Sequence, residues 1–132
     1  MLHVMSAATV PKVTVVVRKA YGAGYYVMCG RAYEPDLIVG WPTTEISVMG
    51  PEGMVGIAAR KLFGEAPPPP EVKQGIIDMI QKNIDVMKVA GWGLIDDVID
   101  PRDTRKALAW GLELAQKKRV ERPYRKHGVV PV

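Results

Sequence analysis

Short apolar β-branched runs alternate along the chain with longer stretches of helical periodicity. VTVVV (Val13 to Val17) is uninterrupted and bounded by charge, so it predicts a buried strand. LIVGW (Leu37 to Trp41) and EISVM (Glu45 to Met49) predict two more, separated by Pro42-Thr43-Thr44. LIDDVI (Leu94 to Ile99) predicts a short fourth strand. Helical spacing dominates elsewhere. Gly50-Pro51-Glu52 opens a helix with proline at its first position, and Met54, Ile57, Ala58 and Leu62 give it an apolar stripe. From about Glu71 to Ala90, Ile76, Ile77, Ile80, Ile84 and Met87 recur at helical spacing, and Gly91-Trp92-Gly93 ends that helix. A last helix starts at Asp100-Pro101-Arg102-Asp103, carries Leu108, Leu112 and Ala115 on one face, and ends in Lys117-Lys118-Arg119, which suits its dipole. LHVMSAAT (Leu2 to Thr9) has the pattern of the last turns of an amphipathic helix stopped by Val10-Pro11, with Leu2, Met5 and Thr9 on one side. The tetraproline Pro67 to Pro70 predicts a stiff extended break inside one domain. The order of elements predicts a layered α/β domain.

The most informative stretch follows the first strand. Gly22-Ala23-Gly24 leads from it into an apolar segment, near Tyr25 to Gly30, that can be helical. A strand that ends in a small-residue turn and opens a helix leaves several backbone N–H groups unpaired and pointing one way. Such a place binds a phosphate or a carboxylate, or stabilises an oxyanion that forms only during a reaction.

Composition narrows the remaining choices. With 132 residues, 48% hydrophobic and 24% charged, the chain has the material for one well-buried core and is not of disordered type. No apolar run reaches the ~18–20 residues of a membrane span, and no export signal stands out. The single cysteine, Cys29, excludes an internal disulfide, so the expected setting is reducing and cytoplasmic. His3 and His127 lie at opposite ends of the chain, which argues against a cysteine nucleophile with a histidine base and against a structural metal site. Pro101 to Val132 holds nine Lys/Arg against three Asp/Glu, but without the aromatic interleaving of single-strand binders. A solvated helix face and tail is the expectation, with no nucleic acid. Asp96 and Asp97 are strand neighbours that point to opposite faces, so they do not form an acid–base pair.

Four segments, taken together, resemble one family: ATVPKVTVVVRKAYGAGYYVMCG (Ala8 to Gly30), WPTTEISVMGPEG (Trp41 to Gly53), GLIDDVIDPRDTRKAL (Gly93 to Leu108) and KHGVVPV (Lys126 to Val132). The chain resembles the C-terminal part of the carboxyltransferase subunit of biotin-dependent acyl-CoA carboxylases, of the propionyl-, acetyl- and methylcrotonyl-CoA type, and of the related acyl-CoA decarboxylase α subunits. The resemblance implies the C-terminal half of a crotonase-like α/β fold built of repeated strand-strand-helix units. It implies one subdomain over 1–132 that starts inside a helix and lacks the N-terminal acyl-CoA-binding half. The cofactor it implies is biotin, carried by a partner carrier protein, with an acyl-CoA as substrate.

By position match, the resemblance places backbone donors for the biotin oxygen on Ala23 and Gly24, with Gly22 allowing the turn. It makes Tyr26 a candidate for the acyl pocket, against the plainer role of a packed helix aromatic. The partners implied are the N-terminal carboxyltransferase half or full-length subunits, a biotin carboxyl carrier protein and further copies of the chain, with no membrane insertion. The chain is then the biotin-side part of a carboxyltransferase, or of a biotin-dependent decarboxylase, inactive by itself. A non-catalytic assembly module left from such a subunit is another reading. So is a small crotonase-like hydrolase or isomerase, which needs a carboxylate near the turn, with Glu34 and Glu45 the nearest in sequence.

Overall fold

A computed structural model describes residues 1–64, 68–121 and 123. The chain runs through α1 (Leu2–Ala7), β1 (Val13–Val16), β2 (Lys19–Tyr21), α2 (Ala23–Val27), β3 (Leu37–Gly40), β4 (Glu45–Ser47), α3 (Pro51–Phe63), α4 (Pro70–Ile84), α5 (Val86–Gly91), β5 (Asp97–Val98) and α6 (Thr104–Leu114). Single 3-10 turns occupy Arg31–Tyr33, Pro101–Asp103 and Ala115–Lys117.

Two successive strand pairs lie side by side. β1 pairs in parallel with β3 from Val13↔Leu37 to Val16↔Gly40, and β2 pairs in parallel with β4 from Lys19↔Glu45 to Tyr21↔Ser47. β5 adds to the far edge of β3. Each unit is thus strand, strand, helix, and the second stacks on the first. Between the sheets, Thr44 Oγ1 donates 2.6 Å to the Val16 carbonyl, and Thr44 is buried. That bond satisfies an acceptor where the chain leaves one sheet for the other.

The core has two parts. Val16, Tyr25, Ile38, Ile46, Val86, Val89 and Ile95 form the first, between the sheets and α5. Val55, Ile80 and Ile84 form the second, between α3 and α4. Burying such side chains contributes roughly 1.5–3 kcal/mol each.

Several expectations are corrected here. VTVVV ends as a strand at Val16, and only Val16 is buried, because the flank of β1 away from β3 borders an open concavity. β2 was not anticipated, since three residues show too little alternation. The helix after the turn starts at Ala23, earlier than Tyr25, and ends at Val27. α1 ends at Ala7, short of the Val10-Pro11 stop, and buries no residue of the expected Leu2–Met5–Thr9 face.

The stretch read as one helix, Glu71 to Ala90, is two. Asp85 is extended (φ −58°, ψ 142°), bridges Glu45 of β4, and caps α5 by accepting from Met87 N at 2.9 Å. That break resets the helical phase, so Val86 and Val89 are buried while Met87 is 68% exposed. In α3, Val55 and Ala59 are buried and Ile57 faces outward. In α6, Gly111 and not Leu112 meets the sheet. A β-carbon there would stand 2.8 Å from Leu37 Cδ2 and 3.3 Å from Val13 Cγ2, so the missing side chain lets the helix lie close. LIDDVI is a strand only at Asp97–Val98, with Asp96 N and Ile99 N on either side donating to the Ile38 and Gly40 carbonyls of β3. Of the tetraproline, Pro68 to Pro70 are described, with Pro70 opening α4. KHGVVPV and His127 lie outside the described residues.

Candidate functional site

The turn between β2 and α2 is set by what β4 offers. Tyr21 pairs with Ser47, and the next amide, Gly22 N–H, donates 2.9 Å to the Ser47 carbonyl, extending the ladder by one bond. Gly22 then takes φ +57° and ψ −136°, a conformation that side chains disfavour. A β-carbon on it would also meet the Val48 carbonyl oxygen at 2.9 Å. The chain folds back at once, with Tyr25 N donating 3.2 Å to the Gly22 carbonyl. Among the described residues, the amides of Ala23 and Gly24 have no hydrogen-bond acceptor. Both residues are exposed. The first amides of a helix are orphaned in this way, and they carry the positive end of its dipole.

Two concavities flank the turn. One, of about 320 Å³, is bordered by Gly22, Tyr25 and Tyr26 on the turn side and by Ile46, Ile80 and Ile84 beneath. Its outer edge carries three exposed apolar side chains, Val48, Tyr26 and Trp92. Tyr26 is 44% exposed and meets the Tyr25 ring edge-on, with centroids 5.6 Å apart, so it packs on its neighbour and borders the cavity at once. The other concavity, of about 630 Å³, follows β1 and β2 from Thr14 to Tyr21 and reaches Gly24. An apolar cavity beside unpaired amides suits a ligand with an apolar body and one acceptor oxygen.

Near the turn, Tyr21 and Glu45 are committed to each other. The Tyr21 hydroxyl donates to Glu45 Oε2. Burial, then that bond and the Glu45 charge, push the phenol up to about 12, so it stays a neutral donor. Glu45 is thereby engaged, and it borders a separate surface cavity with Pro42 and Asp85. Glu34 sits exposed in a left-handed conformation, φ +51°, and borders neither concavity at the turn. The carboxylate needed for an isomerase or hydrolase is thus not supplied there by either residue. Asp96 and Asp97 diverge as expected. Asp96 accepts from Ile38 N at 2.9 Å and pairs with Arg31, while Asp97 folds back on Val98 N. Cys29 is buried, with its sulfur toward the Tyr33 carbonyl. No group of three metal-ligating side chains occurs among the described residues. Nor is any helix among them long and apolar enough to cross a membrane.

Sequence reasoning placed none of Val48, Ile80 and Trp92 at a site; they come to this cavity from the segment after β4, from α4 and from the turn after α5. Nothing local in their spacing marks them, because only the stacking of the two units brings them together.

Comparison with known proteins bears on the whole chain. The carboxyl transferase domain matches residues 1–130. The 12S subunit of methylmalonyl-CoA carboxyltransferase from Propionibacterium freudenreichii subsp. shermanii is 45% identical over 99% of this chain and 25% of its own length. The α subunit of methylmalonyl-CoA decarboxylase from Propionigenium modestum is 39% identical over 99% of this chain and 26% of its own. A solved structure of transcarboxylase 12S, a hexamer assembly with methylmalonyl-coenzyme A and methylmalonic acid bound, superposes with a TM-score of 0.89 at 43% identity, over 99% of this chain and 25% of that one. The β subunit of geranyl-CoA carboxylase from P. aeruginosa superposes with a TM-score of 0.78 at 29% identity, over 91% of this chain and 24% of that one. The fold is crotonase-like α/β, as the resemblance implied. The chain spans about a quarter of the length of the relatives it matches.

Proposed function

Since this chain belongs to the carboxyl transferase domain family, we propose that it forms the biotin-side part of an acyl-CoA carboxyltransferase and that the turn at Gly22-Ala23-Gly24 is its working element. The observation that carries this reading is the pair of amides on the exposed residues Ala23 and Gly24, unpaired among the described residues and lying between Gly22 and Tyr25, which border an apolar cavity. Biotin, delivered on a carrier protein, supplies the carboxyl group to be moved and presents a polar ureido edge on an apolar bicycle. That shape and polarity suit an apolar cavity next to a turn with unpaired amides.

The residues of this chain act by position. The Ala23 and Gly24 amides donate to an oxygen on which negative charge grows, and the groups are already oriented, so no reorganisation is needed at that moment. Gly22 contributes its backbone conformation and not its amide, which is held by Ser47. Tyr26 borders the cavity and bears on which acyl group is accepted. No proton donor or acceptor is required at the turn, consistent with the engagement of Tyr21 and Glu45 with each other.

In this reading the acyl-CoA is bound by a partner half, and the isolated chain is inactive. Mixed with an acyl-CoA-binding carboxyltransferase half and supplied with carboxylated biocytin, it should give CoA-dependent carboxyl transfer, and neither component should do so alone. Ala23→Pro removes one donor N–H at a position where a helix tolerates proline. Loss of one such donor typically lowers kcat about 100- to 1000-fold. An Ala23→Pro mixture that keeps the full rate would refute the role assigned to the turn.

A further inference from the structure

α2 is five residues long, too short to hold itself together by its own hydrogen bonds. Its only buried residue is Tyr25, which directly follows the two free amides. The Tyr25 hydroxyl donates 3.0 Å to the Leu94 carbonyl, 69 residues away in the loop before β5. The same oxygen accepts from Arg31 N at 3.0 Å. Gly30 lies so close under the ring that a β-carbon there would meet Tyr25 Cε1 at 2.5 Å. Ring, donor and acceptor are therefore all committed, the ring and the acceptor to the Gly30-Arg31 segment and the donor to the distant Leu94 loop.

Resting on the reading of the turn given above, we propose that Tyr25 is the positioning residue of the site, fixing the direction of the Ala23 and Gly24 amides by pinning α2 to the Leu94 loop through its hydroxyl. With Gly22 tied to Ser47 at one end and Tyr25 tied to Leu94 at the other, the two intervening amides have little freedom to swing. A donor pair must keep its aim to within a fraction of an ångström to stabilise a growing charge, and small misplacements are costly. Burial raises the phenol's pKa, opposed by the Arg31 amide, so the hydroxyl remains a donor throughout the neutral range. Tyr25 also borders the cavity, but its hydroxyl faces Leu94 and Arg31 and is committed to them. Its contribution passes through the backbone.

The test compares Tyr25→Phe with Thr44→Val, a control that removes a buried hydroxyl bond away from the turn. In the reconstituted enzyme, Tyr25→Phe should lower kcat roughly 10- to 100-fold, with KM for the acyl-CoA unchanged. Thr44→Val should keep kcat at comparable thermal destabilisation. In NMR spectra of the 132-residue chain alone, Tyr25→Phe should shift the Ala23 and Gly24 amide resonances and Thr44→Val should not. If Tyr25→Phe keeps its kcat while Ala23→Pro is dead, the positioning role is wrong and the amide reading stands. If Ala23→Pro itself keeps the rate, both fall.

Discussion

Gly22 and Gly24 flank one alanine but meet opposite constraints. Gly22 has a positive φ and faces the Val48 carbonyl at 2.9 Å. Gly24 has no heavy atom within 4 Å of where a β-carbon would stand. Gly22→Ala should therefore cost about 1–3 kcal/mol in urea denaturation, the usual range for a side chain held in a disfavoured backbone region. Gly24→Ala should change stability by no more than about 0.5 kcal/mol. Equal losses at the two positions would mean that the turn's geometry does not depend on Gly22. From the residues alone, the pair was legible as a turn that exposes amides. Which glycine carries the unusual conformation was not, because that depends on Ser47 and Val48 arriving alongside.

Among the elements, the break at Asp85 shows how one residue redirects a helix. Periodicity through Ile76, Ile80, Ile84 and Met87 was continuous, and no glycine or proline interrupts it. Asp85 nevertheless leaves the helix to pair with Glu45, and its carboxylate starts α5 by capping Met87 N. The tertiary contact outweighs local propensity, and it gains the burial of Val86 and Val89 under the sheets. Asp85→Ala should lower stability by about 1 kcal/mol, while Asp85→Asn, which can still cap, should lose far less. Urea midpoints of the two variants check this. If alanine is as good as asparagine, the side-chain cap contributes nothing and the β4 pairing alone breaks the helix. Gly111 teaches a related lesson in α6. Helical patterning marked Leu112, but contact with β1 and β3 selected the position with no side chain.

For the molecule as a whole, a partly buried ion pair closes the chain's later part onto its beginning. Lys118, just after α6, reaches Asp36 Oδ2 at 2.7 Å, and the same oxygen accepts from Lys12 N at 2.7 Å. Burial pushes the Asp36 carboxyl up, but Lys118 and the backbone amides outweigh it, and the net direction is down. A carboxyl whose folded value lies below its unfolded one stabilises the fold above the ordinary aspartate range, about 4, and loses that contribution as pH falls through the folded value. Stability measured by denaturant from pH 7 down to pH 2 should fall across that window. Asp36→Asn should start lower at pH 7 and fall less steeply. Parallel curves for the two proteins would show that the link does not differ between folded and unfolded states. The amino-acid sequence by itself determined the strand and helix order apart from β2 and the division of α4 from α5, the orphaned amides beside Gly22-Ala23-Gly24 and the family resemblance, because β-branched runs, turn residues and cap residues act over a few neighbours. Only the tertiary structure decided which residues border the cavity, where the long helix breaks and what holds α2 in place. Those outcomes depend on Ile46, Ile80, Trp92 and Leu94 reaching one spot from distant parts of the chain, and no local pattern records that meeting.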